Sequence, residues 1–260
     1  MTPLTELRAN HIRGLLRDAR ARRGDSEFVL EGPHLLEAAM EKALKLIEYV
    51  AFTQDAIVRH PDLLDQAEKL DIPVYSLSAK LAARTADTQE PQGIFAVVRM
   101  PRPSPVGGNV ILALDGVKDP GNTGTIIRTA AWFGVQNILL ADGSADPFAP
   151  KVVRGTQGAI FDVSLETNSD LMKRLTDLRN AGWTILAASV SETAKPVYDI
   201  TFPDRVVFLF GTEARGIRPE LLTLATEQIV IPKHGAGESL NVAVSAAIIL
   251  AEFRRRNPVT

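Results

Sequence analysis

Three segments of the chain hold residue types able to grip a polar ligand and shift a proton. They are DGVKDPGNTGTIIRTAAWFG from residue 115, GTEARGI from residue 211 and PKHGAGESLN from residue 232. Their glycines let backbone approach a ligand closely, and their short polar side chains supply donors and acceptors. In the first segment Asn122 reads as the N-cap of a helix. Arg128 lies on that helix, with Gly124 and Gly121 at i−4 and i−7 on one line, which leaves a notch for a sugar or phosphate. Each group also has a plain structural use. Asn122 can simply cap, Arg128 can pair with a carboxylate, Glu213 can satisfy loop N–H groups, and Ser239 and Asn241 can start a helix.

Two familiar nucleotide sites fail on spacing. Gly211 and Gly216 have the separation of a phosphate-binding P-loop, but Ile217-Arg218 stand where Lys-Ser or Lys-Thr is required. Gly235 and Gly237 begin a dinucleotide fingerprint whose third glycine position is Leu240. Neither a nucleoside triphosphate nor a nicotinamide cofactor is supported.

The elements around these segments say how they are positioned. Val110–Leu114, 138–140, 184–188, 206–210 and 229–231 are continuous apolar runs, as expected of strands buried on both faces. Helical patterns fall at about 123–134, 169–181, 218–225 and 240–254. Strands alternating with helices imply a parallel sheet, and ligands of such sheets sit beyond the carboxyl ends of the strands. All three polar segments follow strands, so they gather at one edge. Before them, 28–30, 46–52, 74–75 and 94–98 read as strands and 33–44, 61–70 and 78–85 as helices, a small α/β sandwich. The stretch RMPRPSPVGG at 99–108 reads as a linker. The expected domains are 1–100 and 106–260.

Composition narrows the chemistry. The 260 residues include no cysteine, which excludes disulfides, cysteine-ligated clusters and cysteine nucleophiles. Four scattered histidines make a histidine-rich metal site an unattractive reading, and no metal is expected. No apolar run reaches the roughly 20 residues of a membrane span. The N-terminal stretch lacks the apolar core of a secretory signal, so the expected location is the cytoplasm. Formal net charge is −2, but residues 1–23 carry net +4 and the last helix ends in Arg254-Arg255-Arg256. Basic ends on a near-neutral chain fit contact with a phosphate backbone, or, more blandly, solvated helix surfaces and a favourable helix dipole.

Taken together, LDGVKDPGNTGTIIRTA, FLFGTEARGI and IPKHGAGESLNVAVSAAIIL resemble, in order and placement, the three motifs of the SpoU (TrmH-like) class of SPOUT RNA methyltransferases. PKVVRGTQGA at 150–159 fits a weaker fourth segment, with Thr156 where serine is commoner. FVLEGPHLLEAA and TQEPQGIFAVV extend the likeness to an L30e-like substrate-binding domain.

The resemblance implies an α/β fold with a parallel-sheet domain that ends in a trefoil knot, an exception to ordinary chain topology. It implies S-adenosylmethionine as cofactor, held by backbone at Gly211, Ile231 and Leu240. It implies methyl transfer to a ribose 2′-hydroxyl of RNA, with ribosomal RNA expected and transfer RNA the alternative, by a homodimer. Arg128, Asn122, Glu213, Ser239 and Asn241 would build the catalytic site. Arginine stays protonated, so Arg128 is read as a grip on phosphate and developing alkoxide rather than as a base. The rivals are a non-catalytic RNA-binding or ribosome-assembly member of the same fold and a Rossmann dehydrogenase.

Overall fold

The structure is a computed structural model that describes residues 1–86, 91–212 and 215–258. The chain forms two compact units. One comprises Met1–Pro101 with Phe148–Phe161, the other Arg102–Pro147 with Asp162–Thr260.

The first unit begins β1 (Thr2–Pro3), α1 (Glu6–Arg17), α2 (Ala19–Asp25), β2 (Glu27–Glu31), α3 (Pro33–Lys42) and β3 (Ile47–Thr53). It continues α4 (Gln54–Arg59), α5 (Pro61–Lys69), β4 (Val74–Leu77), α6 (Ala79–Thr85) and β5 (Ile94–Arg99). The five strands form one mixed sheet in the order β1-β4-β3-β5-β2. β5 lies antiparallel to both β2 and β3, and β3 parallel to β4. Ile94 to Val98 are all buried, as a β-branched and aromatic run between two neighbours should be. Thr5 caps α1 by accepting from the Arg8 N–H, and Ile12, Leu15 and Leu16 face the sheet beside Val29, Phe95 and Val97.

In the second unit β6 (Val110–Leu114), α7 (Pro120–Trp132) and β7 (Asn137–Ala141) come first. α8 (Pro150–Thr156) follows but belongs to the first unit. Then come β8 (Ser164–Ser169), α9 (Leu171–Asn180), β9 (Thr184–Ala188), β10 (Lys195–Pro196), β11 (Val206–Phe210), α10 (Pro219–Leu222), β12 (Glu227–Val230) and α11 (Val242–Arg256). The seven strands run β10-β12-β9-β11-β6-β7-β8, every neighbouring pair parallel.

β6, β9 and β11 fall where their apolar runs end. β12 stops at Val230, so Ile231, expected at the end of the strand, instead opens the following loop. β8 was not expected: its sequence SLETNS is polar because it is an edge strand with its ladder open on one side. The helix expected over 218–225 shrinks to the single turn of α10.

α7 and α11 lie side by side and parallel. At their starts the Asn241 side-chain amide donates to Asn122 Oδ1 at 2.8 Å. Toward their ends the Arg254 guanidinium Nε donates to the Phe133 carbonyl at 2.6 Å. Phe253 on α11 meets Phe202 and Phe208 edge-on at 5.3 and 5.6 Å between ring centroids. Edge-to-face packing of this kind adds roughly 0.5–1.5 kcal/mol per pair to the burial itself.

Candidate active site

β6 delivers Asp115 to the carboxyl edge of the sheet, where its N–H donates to the Phe210 carbonyl of the neighbouring β11 at 2.8 Å. The Asp115 side chain is buried and accepts twice from Arg218, from the backbone N–H at 2.8 Å and from Nε at 2.7 Å. A two-point, charge-assisted contact of this kind fixes direction as well as distance. It ties the loop after β6 to the loop after β11 across 103 residues of sequence.

The second loop is shaped by glycine. Gly211 lies so close to the Gly216 and Ile217 backbone that a Cβ there would overlap main-chain atoms, which cannot move aside. Thr212 and Gly216 exchange backbone hydrogen bonds at 3.0 and 2.9 Å, and Gly216 has φ +66°. The Arg215 N–H is held by Thr212 Oγ1 at 3.1 Å. Glu213, expected in the site, lies outside the described residues.

The third loop, 231–240, contains no helix or strand, and residues 233–240 are exposed. Its backbone N–H and C=O groups are therefore not committed to a ladder. Ser239 and Leu240 are both exposed, Leu240 by 48%. Asn241 ends the loop as the N-cap of α11, with Oδ1 accepting from Ala243 N–H at 2.9 Å and Val244 N–H at 3.3 Å. Its amide nitrogen is thereby aimed at Asn122. Two ties thus converge on the first loop: Asp115 to Arg218 and Asn122 to Asn241.

Two details of the first loop differ from expectation. The N-cap of α7 is Asp119, whose Oδ1 accepts from the Asn122 N–H at 2.7 Å, and Asn122 stands inside the first turn. Pro120 at the first helical position suits this start. Capping by Asp119 leaves the Asn122 side chain for Asn241. Gly124 is buried, so no open notch lies at that position below Arg128. Arg128 is exposed and makes no hydrogen bond or ion pair among the described residues. It lies six residues past Asn122, about 9 Å along the axis and on a different face. The structure brings Asn122, Asn241 and the Gly211 loop to one edge; within a single chain it does not bring Arg128 onto the Asn122 face.

Asp115 and Arg218 sat within or beside the quoted motifs without a role. The available sign was a carboxylate directly after a buried strand, a position where burial demands a partner.

The basic ends separate as well. Arg254 donates to the Phe133 and Gly134 carbonyls at 2.6 and 3.2 Å. Arg255 and Arg256 both hold Glu252, at 2.7 and 2.6 Å. The Arg255 hydrogen bond, reinforced by Arg256, pulls the Glu252 carboxyl down to about 2. The terminal triplet is therefore tied into the fold.

Residues 109–251 match the SpoU rRNA Methylase family. The chain belongs to that family. Residues 11–96 match a second family, the MRM3-like substrate binding domain. Among SpoU relatives, a Synechocystis protein named as an uncharacterized tRNA/rRNA methyltransferase is 32% identical, the match covering 93% of this chain and 88% of that one. The 23S rRNA (guanosine(2553)-2'-O)-methyltransferase of Bacillus subtilis is 30% identical over 87% of this chain and 88% of its own. The crystal structure of an AdoMet-bound rRNA methyltransferase from Sinorhizobium meliloti superposes with a TM-score of 0.84 at 26% identity, covering 100% and 98% of the two chains. The SpoU assignment disposes of the dehydrogenase reading, since a different family matches residues 109–251, which include every strand of the parallel sheet.

Proposed function

We propose that this SpoU protein transfers the methyl group of S-adenosylmethionine to a ribose 2′-hydroxyl of ribosomal RNA. The observation that carries the reading is the pair of ties, Asp115 to Arg218 and Asn122 to Asn241, which hold three loops at one sheet edge. Relatives named as 23S rRNA 2′-O-methyltransferases favour ribosomal over transfer RNA.

The cofactor fits the loops that would hold it. Gly211 turns in a bend too tight for a side chain, and the 231–240 loop keeps its backbone groups out of any ladder. Backbone at Gly211, Ile231 and Leu240 would bind it. When bound, S-adenosylmethionine supplies an activated methyl group. The protein must set the hydroxyl oxygen in line with that methyl and let its proton leave. Asn241, fixed by capping α11, holds Asn122 in place, and Ser239 lies two residues before it. Arg128 would grip the phosphate beside the target ribose and stabilise the developing alkoxide, while phosphate or water takes the proton. Glu213 would be a further member of the catalytic site.

A homodimer accounts for the position of Arg128. Thr125, Arg128 and Trp132 are all exposed on α7, Trp132 by 83%, and Val244 is exposed on α11. Large bare apolar side chains on neighbouring helices suit association with a second copy, and a shared site would let Arg128 reach it. The trefoil knot is likewise a proposal. β12 lies beyond β9, yet α11 returns to α7, so the terminal segment must cross the strand ends between them. The cytoplasm is the proposed location.

The experiment is to incubate the protein with radiolabelled S-adenosylmethionine and both ribosomal and transfer RNA from a strain lacking the gene, then map 2′-O-methylation. Label confined to one ribose is expected; label on transfer RNA alone, or none, would overturn the substrate.

A further inference from the structure

A cavity of about 280 Å³ lies within the first unit. Among the described residues it is lined by Glu31, Gly32, His34, Gln92, Arg154 and Gln157, with Leu35 the apolar contribution. We infer that this cavity is a guanine-binding subsite that reads one unstacked base of the RNA. The inference rests on the proposal that RNA is the substrate, and it adds the base and the groups that read it.

Charge excludes the simplest alternative, a phosphate. The Glu31 side chain is only 4% exposed, and its Oε2 stands 3.9 Å from Arg154 Nη1. A carboxylate and a guanidinium side by side cancel each other's field, and the carboxylate repels an anion. The fitting ligand is neutral and offers donors and acceptors next to one another. Its size is limited too: the volume is at the low end for small-molecule pockets, enough for one base rather than a whole nucleotide.

Of the four RNA bases only guanine presents two adjacent donors, N1–H and the N2 amine, beside an acceptor, O6. Glu31 Oε2 is buried on the Arg154 side, so both guanine donors would meet the other carboxylate oxygen, whose two lone pairs can accept them. The Arg154 guanidinium has the donor for O6. Adenine and cytosine put a ring-nitrogen acceptor against the carboxylate, and uracil offers one donor between two acceptors. Each of the three leaves lone pairs facing lone pairs.

The wall of the cavity is built to hold a further polar group. Gly32 has φ +107°, and the space its Cβ would fill is taken by the Gln92 side-chain oxygen. Glycine at 32 thus lets the Gln92 amide rest against the backbone at the cavity wall. The Gln157 amide nitrogen donates to the Arg154 carbonyl at 3.0 Å, which holds that side chain beside Arg154. Proteins that read RNA sequence commonly do so through splayed bases, the form this cavity can admit.

The test uses the full-length protein and uridine hexanucleotides carrying one central guanosine, adenosine or cytidine, titrated by fluorescence anisotropy at fixed salt. The guanosine oligonucleotide should bind about tenfold tighter than the others, the scale of one two-point base contact. Glu31→Gln, which sets an amine against one of the two guanine donors, should bring the three within about twofold. Gln92→Leu, at an exposed position, should weaken the preference without changing melting and serves if Glu31→Gln unfolds. A purely structural Glu31–Arg154 pair would lower the melting temperature and leave base preference alone. Equal binding of all oligonucleotides by the unmodified protein, or preference retained in both variants, overturns the subsite. Methyl incorporation measured on the same preparations separates the two ideas. Transfer without preference removes the subsite only, and preference without transfer removes the methyltransferase reading only.

Discussion

Arg254, Arg255 and Arg256 at the end of α11, and Arg17, Arg20 and Arg23 on α1 and α2, are basic clusters of equal formal charge. The terminal cluster is consumed by the fold: carbonyls at the end of α7 take Arg254, and Glu252 takes the other two. The other cluster is exposed and makes no side-chain hydrogen bond or ion pair among the described residues. Even near it the charge is selectively spent. Arg22 is buried and donates to the Leu15 carbonyl at 2.6 Å, and Arg8 lies 4.2 Å over the Tyr75 ring. A count of charges therefore measures field at a distance, while availability for a ligand depends on what each guanidinium already holds.

The largest change expected from breaking this contrast is in stability. Arg254→Ala should cost about 2 kcal/mol by urea unfolding, because hydrogen bonds from a charged donor to the α7 carbonyls are lost. Loss of less than about a quarter of that would mean the arginine is as idle as those on α2.

Next comes the acid limb of stability. The Glu252 carboxyl titrates at about 2 in the fold against an ordinary 4.5. A lowered folded value adds stability above the ordinary one and loses it as pH falls through the lowered one. The advantage of the native protein over Glu252→Gln should therefore be constant above pH 4.5 and shrink between there and about pH 2. An advantage that is flat across that range would remove the Arg255 and Arg256 contacts from the account.

The smallest stability effect belongs to the other cluster. Replacing Arg17, Arg20 and Arg23 together by serine should change unfolding by no more than about 0.5 kcal/mol per site. It should instead flatten the log–log salt dependence of RNA binding by roughly 2 to 3 units if all three touch phosphate. An unchanged slope would make them ordinary solvated side chains.

The same distinction between local and long-range information decides what could be read from sequence. β6, β9 and β11 were legible to the residue, because burial on both faces writes an uninterrupted apolar run. β8 was not, since an edge strand of Ser, Glu, Thr and Asn has no such run. The three loops were legible as a group because glycine and polar residues after parallel strands mark a ligand edge. What joins them was not legible. Asp115 finds Arg218 across 103 residues and Asn241 finds Asn122 across 119, and no local pattern encodes either pair. The N-cap of α7 was misplaced by three residues because Asp119 and Asn122 are both good capping types, and Pro120 between them marks the true first turn. Arg154 was visible within a quoted segment, but its nearness to Glu31 needed the fold.

The claim on which the rest depends is that these loops form one methyl-transfer site in which Arg128 acts on the RNA and not on the cofactor. Its most direct test pairs two measurements on Arg128→Ala: calorimetric binding of S-adenosylmethionine and methyl incorporation into ribosomal RNA under saturating cofactor. Cofactor affinity should stay within about threefold of the unmodified protein, a change of less than about 1 kcal/mol. Incorporation should fall by about a hundredfold or more, the usual loss when a group that stabilises developing charge is removed. Unchanged incorporation would contradict the account, and loss of cofactor binding would move Arg128 into the cofactor pocket instead.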